Sequence, residues 1–101
     1  MPYSRGMVLE LATITLKPGQ ADEFIRVMPD AFPIVASTPG YIRHELHQGV
    51  ERPDVFTLLV WWETLEAHTV NFRESERFPA WRAVWGHLME GAFVEHVEQR
   101  Y

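Results

Sequence analysis

The chain has no cysteine among its 101 residues. That removes disulfide cross-links, thiolate metal sites and a cysteine nucleophile together. It has no apolar run of the length a membrane span needs, and its opening residues, MPYSRGM, lack the apolar core of a secretory signal. Basic residues are few and scattered, nine against fourteen acidic ones, for a net charge of -5. A nucleic-acid backbone asks for a basic stripe, so neither nucleic acid nor membrane is expected as a partner. A phosphate-cradling glycine loop and a glycine-flanked serine elbow are missing as well. These absences leave one soluble domain spanning 1–101, cytoplasmic by default, with small molecules or another protein chain as partners.

Aromatic side chains, by contrast, are plentiful at 13% of residues, with four Trp and six Phe. A domain this small leaves much of its chain exposed, so part of that aromatic surface is expected to line a pocket or a subunit interface.

GMVLELATITL is rich in β-branched and aliphatic residues and stops at KPGQ, which predicts a strand over Met7 to Leu16. Asp22 and Glu23 suit a helix N-terminus, and Phe24, Val27, Met28, Ala31 and Val35 recur at helical spacing. Pro29 and Pro33 each remove a backbone bond, so the helix is expected to kink or restart near Met28, prolines to solvent, and to end before TPG. YIRHELHQ alternates as a strand from Tyr41 to Gln48, GVERPD turns the chain, and VFTLLVWWE is a third strand apolar on both faces. Thr64 and Ser75 are placed to cap two further helices, the second carrying a stripe of Phe78, Trp81, Trp85, Leu88 and Met89. Gly91 suits the C-terminal cap of that helix, and AFVEHVEQ closes the chain as a fourth strand.

The resulting order, βαββαβ, predicts an α+β, ferredoxin-like domain with a four-stranded antiparallel sheet and both helices on one face. Because the third strand is apolar on both faces, the uncovered face is expected to meet a second copy of the chain.

Five histidines raise a metal reading. In HELH, however, His44 and His47 lie three apart on a strand and point to opposite faces, so no metal site is expected. Alternation groups His47 with Tyr41, Arg43 and Glu45, and His44 with Ile42 and Leu46. The same alternation sets Phe56, Leu58, Val60 and Trp62 toward the helices and Thr57, Leu59 and Trp61 toward the partner. His68 and Asn71 follow on the next helix, and Arg82 interrupts the apolar stripe between Phe78 and Trp85. A charged group beside buried aromatics needs water or a ligand, since an unpaired one costs about 1–3 kcal/mol.

WWETLEAHTVNF, with its tryptophan, acidic residue, hydroxyl residue and later VNF, resembles the antibiotic biosynthesis monooxygenase family, and most of all the branch that acts in actinorhodin biosynthesis. TPGYI, ahead of the second strand, is similar to that family's proline–glycine turn. The resemblance covers nearly the whole chain. It implies a dimeric α+β barrel and cofactor-independent oxidation of an electron-rich aromatic, an anthrone or hydroquinone, by dioxygen, with no cofactor and no metal. By position it implies catalytic roles for Trp62, Arg82, His47 and His68, the last standing where the family has a tyrosine. Around them His44, Leu58, Asn71, Phe72, Phe78 and Trp85 are expected to contact substrate, Leu58 occupying the position of a strand asparagine. A haem-degrading branch of the same family is the second reading, with Ala12 at its strand-asparagine position, Trp81 or Arg82 near its ligand position and His87 as the nearest histidine. A non-catalytic dimer that binds a small aromatic is the third.

Overall fold

The computed structural model describes residues 7–101, and in them the expected order is present. Strand β1 is Val8–Leu16, helix α1 Ala21–Ala36, β2 Tyr41–Gln48, β3 Val55–Trp62, α2 Arg77–Trp85 and β4 Met89–Val97. The sheet is antiparallel in the order β2-β3-β1-β4, and the fold is ferredoxin-like α+β. The inward phase of β1 and β3 forms the floor of the core: Ala12, Ile14 and Leu16 beside Phe56, Leu58, Val60 and Trp62, all 4% exposed or less. Phe24, Met28, Ala31 and Val35 of α1 and Trp81 and Trp85 of α2 close over it. Among the described residues no helix is long and apolar enough to cross a membrane.

Four details differ from the sequence reading. Helix α1 runs unbroken for 16 residues through Pro29 and Pro33. Both prolines lie on its exposed side, as expected, and no restart is needed at Met28. The segment after β3 contains a π-helical turn over Ala67–Phe72, in which the Arg73 amide donates to the His68 carbonyl five residues back, at 3.0 Å. Gly86, not Gly91, caps α2. Gly91 lies inside β4, pairing with Thr15 beside a register shift that lets β4 begin at Met89.

The fourth difference bears on the histidines. Tyr41 pairs with Trp62 and Arg43 with Trp61, so a bulge at Ile42 interrupts the alternation of β2. Tyr41 therefore joins His44 on the helix-covered face, where its hydroxyl meets His44 Nδ1 and Phe32 stacks on the imidazole at 4.2 Å. Arg43, Glu45 and His47 run along the open face instead, with Glu45 accepting from Arg43 at 2.8 Å and hydrogen-bonded to His47 at 2.9 Å.

The two short segments that carry the family resemblance hold each other in place. Gly40 adopts φ +95°, and a Cβ there would lie 2.5 Å from the Ala67 Cβ, so glycine alone allows the π-helical turn to pack this closely. Asn71 Nδ2 donates to the Pro39 carbonyl at 3.0 Å across the same contact.

Candidate active site

A cavity opens between the sheet and the helices. Its floor is Ala12, Ile14, Leu58 and Val60, continued by Ala92 and Val94 of β4. Phe78, Trp81, Arg82 and Trp85 of α2 form one wall, and His68, Phe72 and Arg73 of the π-helical turn form another. Trp81 stands edge-on to both Phe72 and Trp85, so the aromatic wall is a continuous herringbone. Such a slot suits a flat apolar ring.

At one end of this slot sits a carboxylate that the sequence reading missed. Glu10 projects inward from β1 and is only 6% exposed. Trp62 Nε1 donates to Glu10 Oε1 at 3.0 Å, and His68 Nε2 lies 3.4 Å from the same oxygen. On its other side His68 Nδ1 meets His96 Nε2 at 2.7 Å. The imidazole of His68 is also stacked on the Trp62 indole, with ring centres 5.3 Å apart and planes 17° from parallel. The wider π-helical turn aims His68 into this gap.

Electrostatics divides the roles. Burial pushes the Glu10 carboxyl up from 4.5 to about 7, against the downward pull of the Trp62 hydrogen bond and Arg73. Burial first, then the Arg73 charge, and then His96 where it is protonated, drive His68 down from 6.5 to about 3. His96 is lowered by burial and then by Arg73. At neutral pH the histidines are therefore uncharged, and Glu10 is poised between its two forms. A carboxyl of that kind in an apolar slot is suited to take a proton from a weakly acidic substrate.

On α2 two donors stand without acceptors. Arg82 Nε and Trp85 Nε1 are buried and unpaired among the described residues. The Arg82 guanidinium lies 5.5 Å from the Trp85 ring centre and 5.8 Å from that of Phe78.

The expected site residues thus separate. His68, Arg82, Leu58, Phe72, Phe78 and Trp85 converge on the cavity. Trp62 does not line it: the indole is fully buried one layer behind, against Glu10 and His68. His44 lies under Phe32 away from the cavity, because β2 is the far edge of the sheet. His47 is on the open face, exposed, and Asn71 is an exposed clamp on the Pro39 turn. His87 is exposed as well and lines none of the cavity, while Ala12 and Trp81 do. Glu10, Arg73 and His96 are the additions. Glu10 shares the phase of Ala12, Ile14 and Leu16, and His96 that of Ala92 and Val94, so strand alternation alone marks both as inward-facing polar groups. His68 spends its two ring nitrogens on different neighbours, and among the described residues no three His, Cys, Asp or Glu side chains converge as metal ligands.

The sequence model described as "antibiotic biosynthesis monooxygenase" matches residues 7–84. The chain belongs to the antibiotic biosynthesis monooxygenase family. The uncharacterized protein YczJ of Bacillus subtilis (strain 168) is 41% identical over 78 residues, which is 77% of this chain and 82% of that protein. A crystal structure of a candidate antibiotic biosynthesis monooxygenase from Bordetella bronchiseptica matches with a TM-score of 0.92 at 33% identity, over 96% of this chain and all of that one. SnoaB, a cofactor-independent oxygenase from Streptomyces nogalater, shares the fold at 19% identity, with a TM-score of 0.78 over 95% of each chain. The chain thus has the general fold of these monooxygenases.

Proposed function

We propose that the chain is a cofactor-independent monooxygenase that oxidises an electron-rich aromatic, of the anthrone or hydroquinone class, to a quinone with dioxygen. The observation that carries this reading is the pairing of a buried carboxyl, held near neutrality by its surroundings, with an aromatic-walled slot. Family membership supports the reaction class, and the description of SnoaB as a cofactor-independent oxygenase supports chemistry without a bound helper.

In this mechanism the ring lies in the herringbone slot and Glu10 removes the proton from the activated carbon or hydroxyl. The resulting anion passes one electron to dioxygen, and the two radicals combine to a peroxide anion. The proton held by Glu10 returns to the distal oxygen, and the hydroperoxide loses water to leave the new carbonyl. Substrate and dioxygen are thus converted to quinone and water, and Glu10 ends ready for the next cycle. Arg82 and Trp85 line the same cavity and carry buried, unpaired N–H groups, which makes them the candidate donors to the negative oxygens once side chains adjust around a bound ring. They sit on the wall opposite Leu58, so the helix supplies the donors that an apolar strand position cannot.

The same reading includes a homodimer. Leu9, Leu11, Leu59 and Trp61 cross the open face of the sheet, where Phe93 is 63% exposed and the Arg43 guanidinium sits 3.8 Å over the Trp61 ring. A second copy would cover that apolar band. Sedimentation of wild type beside Trp61→Asp tests it, the variant being expected to run as a monomer.

The reaction is tested by oxygen uptake of chelator-treated protein with a panel of anthrones and hydroquinones, beside Arg82→Ala and Trp85→Phe. Uptake above the spontaneous rate that drops in both variants is the expected result. Uptake that vanishes with chelation would replace this reading with a metal-dependent one.

A further inference from the structure

Oxygenation as outlined uses Glu10 but leaves His68 and His96 without a task. Both are neutral at the pH of interest, and both are held in a line that starts at the carboxyl. Glu10 and His96 are direct cross-strand partners on β1 and β4, and His68 reaches down between them from the π-helical turn. The contacts are 3.4 Å from Glu10 Oε1 to His68 Nε2 and 2.7 Å from His68 Nδ1 to His96 Nε2. His68 is 2% exposed, whereas His96 is half-buried on an edge strand. The line therefore runs from the closed end of the cavity to the rim of the sheet.

We propose that His68 and His96 form a proton wire joining Glu10 to solvent, with His96 as the port through which the buried carboxyl exchanges its proton. The purpose rests on the oxygenation reading; the wire itself does not. With Glu10 ionised, His68 presents Nε2–H to the carboxylate across the 3.4 Å contact, which shortens for transfer, and accepts at Nδ1 from His96 Nε2–H. A proton arriving at His96 Nδ1 lets His96 hand its Nε2 proton to His68 Nδ1. His68 then hands its own Nε2 proton to Glu10. The end state has Glu10 protonated and donating to His68 Nε2, with both histidines carrying their proton on Nδ1. One proton has entered and one bond at each contact has reversed, and neither imidazole holds a net charge in either resting state. That neutrality is what the site enforces. Burial and then the Arg73 charge at the end of the π-helical turn work against a charged His68 or His96; among the described residues α2 adds Arg82 to the cavity lining, β3 the neutral Trp62 N–H beside Glu10 and α1 the apolar Val35. An imidazolium is thus disfavoured, and a relay by tautomer exchange avoids it.

A path of this kind is useful because a bound ring fills the slot and shuts Glu10 off from water. It also leaves by the helix-covered face of β4, since His96 pairs with Glu10 on the inward phase. A copy docked on the open face would leave it wet.

Nuclear magnetic resonance of substrate-free protein, with glutamate ¹³Cδ and histidine ¹⁵N labels, reads the wire directly. As Glu10 titrates, His68 and His96 are expected to exchange the roles of Nδ1 and Nε2 at the same midpoint, without either becoming imidazolium. Histidine tautomers that stay fixed through the Glu10 titration, or an imidazolium at that midpoint, would overturn the proposal. In turnover, His96→Gln is expected to lower kcat about tenfold at unchanged KM, with recovery on adding imidazole to the buffer. A wild-type kcat in this variant would also refute the wire while leaving oxygenation intact. A wild type without uptake but with the paired tautomer exchange would remove the oxygenation reading and keep the wire.

Discussion

Trp61 and Trp62 are adjacent in the chain and could hardly be more differently used. Trp62 is fully buried, donates to Glu10 at 3.0 Å and carries His68 on its face. Trp61 lies on the open side of the sheet under the Arg43 guanidinium. The period-two alternation of a strand is sufficient to separate them. The difference teaches that a tryptophan in a suggestive motif need not line the cavity beside it: Trp62 holds a carboxyl that does, and Trp61 presents an open apolar surface.

The sharpest way to break this comparison is to truncate each indole. Trp62→Ala is expected to cost about 3–5 kcal/mol of folding stability, as for other buried Trp, while Trp61→Ala costs under about 1 kcal/mol in the isolated monomer. Urea denaturation at low protein concentration measures both. Similar losses at the two positions would mean that the open face is part of the core.

A smaller effect should appear in stability against pH. The folded pKa of Glu10 is raised, so its contribution is fully present below 4.5 and is lost as pH climbs through about 7. Glu10→Gln removes that loss and is expected to exceed wild type by about 2–3 kcal/mol at pH 8, with the advantage gone at pH 4. The opposite slope comes from His68, whose lowered pKa makes stability fall as pH drops from 6.5 toward about 3. Denaturant melts at several pH values separate the two. An equal gap between Glu10→Gln and wild type at pH 4 and pH 8 would contradict the burial argument.

The finest distinction concerns the indole N–H. Its hydrogen bond favours the ionised carboxyl, so Trp62→Phe is expected to move the Glu10 midpoint upward by about one unit, and Trp61→Phe to leave it alone. The ¹³Cδ titration of Glu10 in each variant gives the answer.

The comparison also explains what could be read in the sequence. The sheet, its helices and the facing of β3 follow from periodicity and caps, because apolar alternation leaves few ways to bury Phe56, Leu58, Val60 and Trp62. Part of the cavity lining is legible for the same reason: His68, Arg82, Phe78 and Trp85 lie on segments whose inward stripe is plain. Glu10 was equally marked by its phase in LELATITL, yet a lone carboxylate in a strand draws less attention than a tryptophan pair. His96 shares the inward phase of Ala92 and Val94, but its pairing with Glu10 is set by the register of β1 against β4, which no local pattern states. His47 lies on the open face, as its phase with Arg43 and Glu45 indicates, and Tyr41 leaves that group because the Ile42 bulge shifts the alternation by one residue. The π-helical turn depends on Gly40 and Asn71 docking from a distance, a tertiary effect that local propensity does not carry.

The most direct test of the account is the pH dependence of kcat/KM for oxygen uptake in wild type and Glu10→Gln. The predicted result is a wild-type limb that rises about tenfold per unit, bends near pH 7 and levels off above it, and a flat variant profile about 10²–10⁴ lower. A Glu10→Gln variant that keeps the wild-type rate and the wild-type limb would contradict it, and would move the proton-accepting group elsewhere in the cavity.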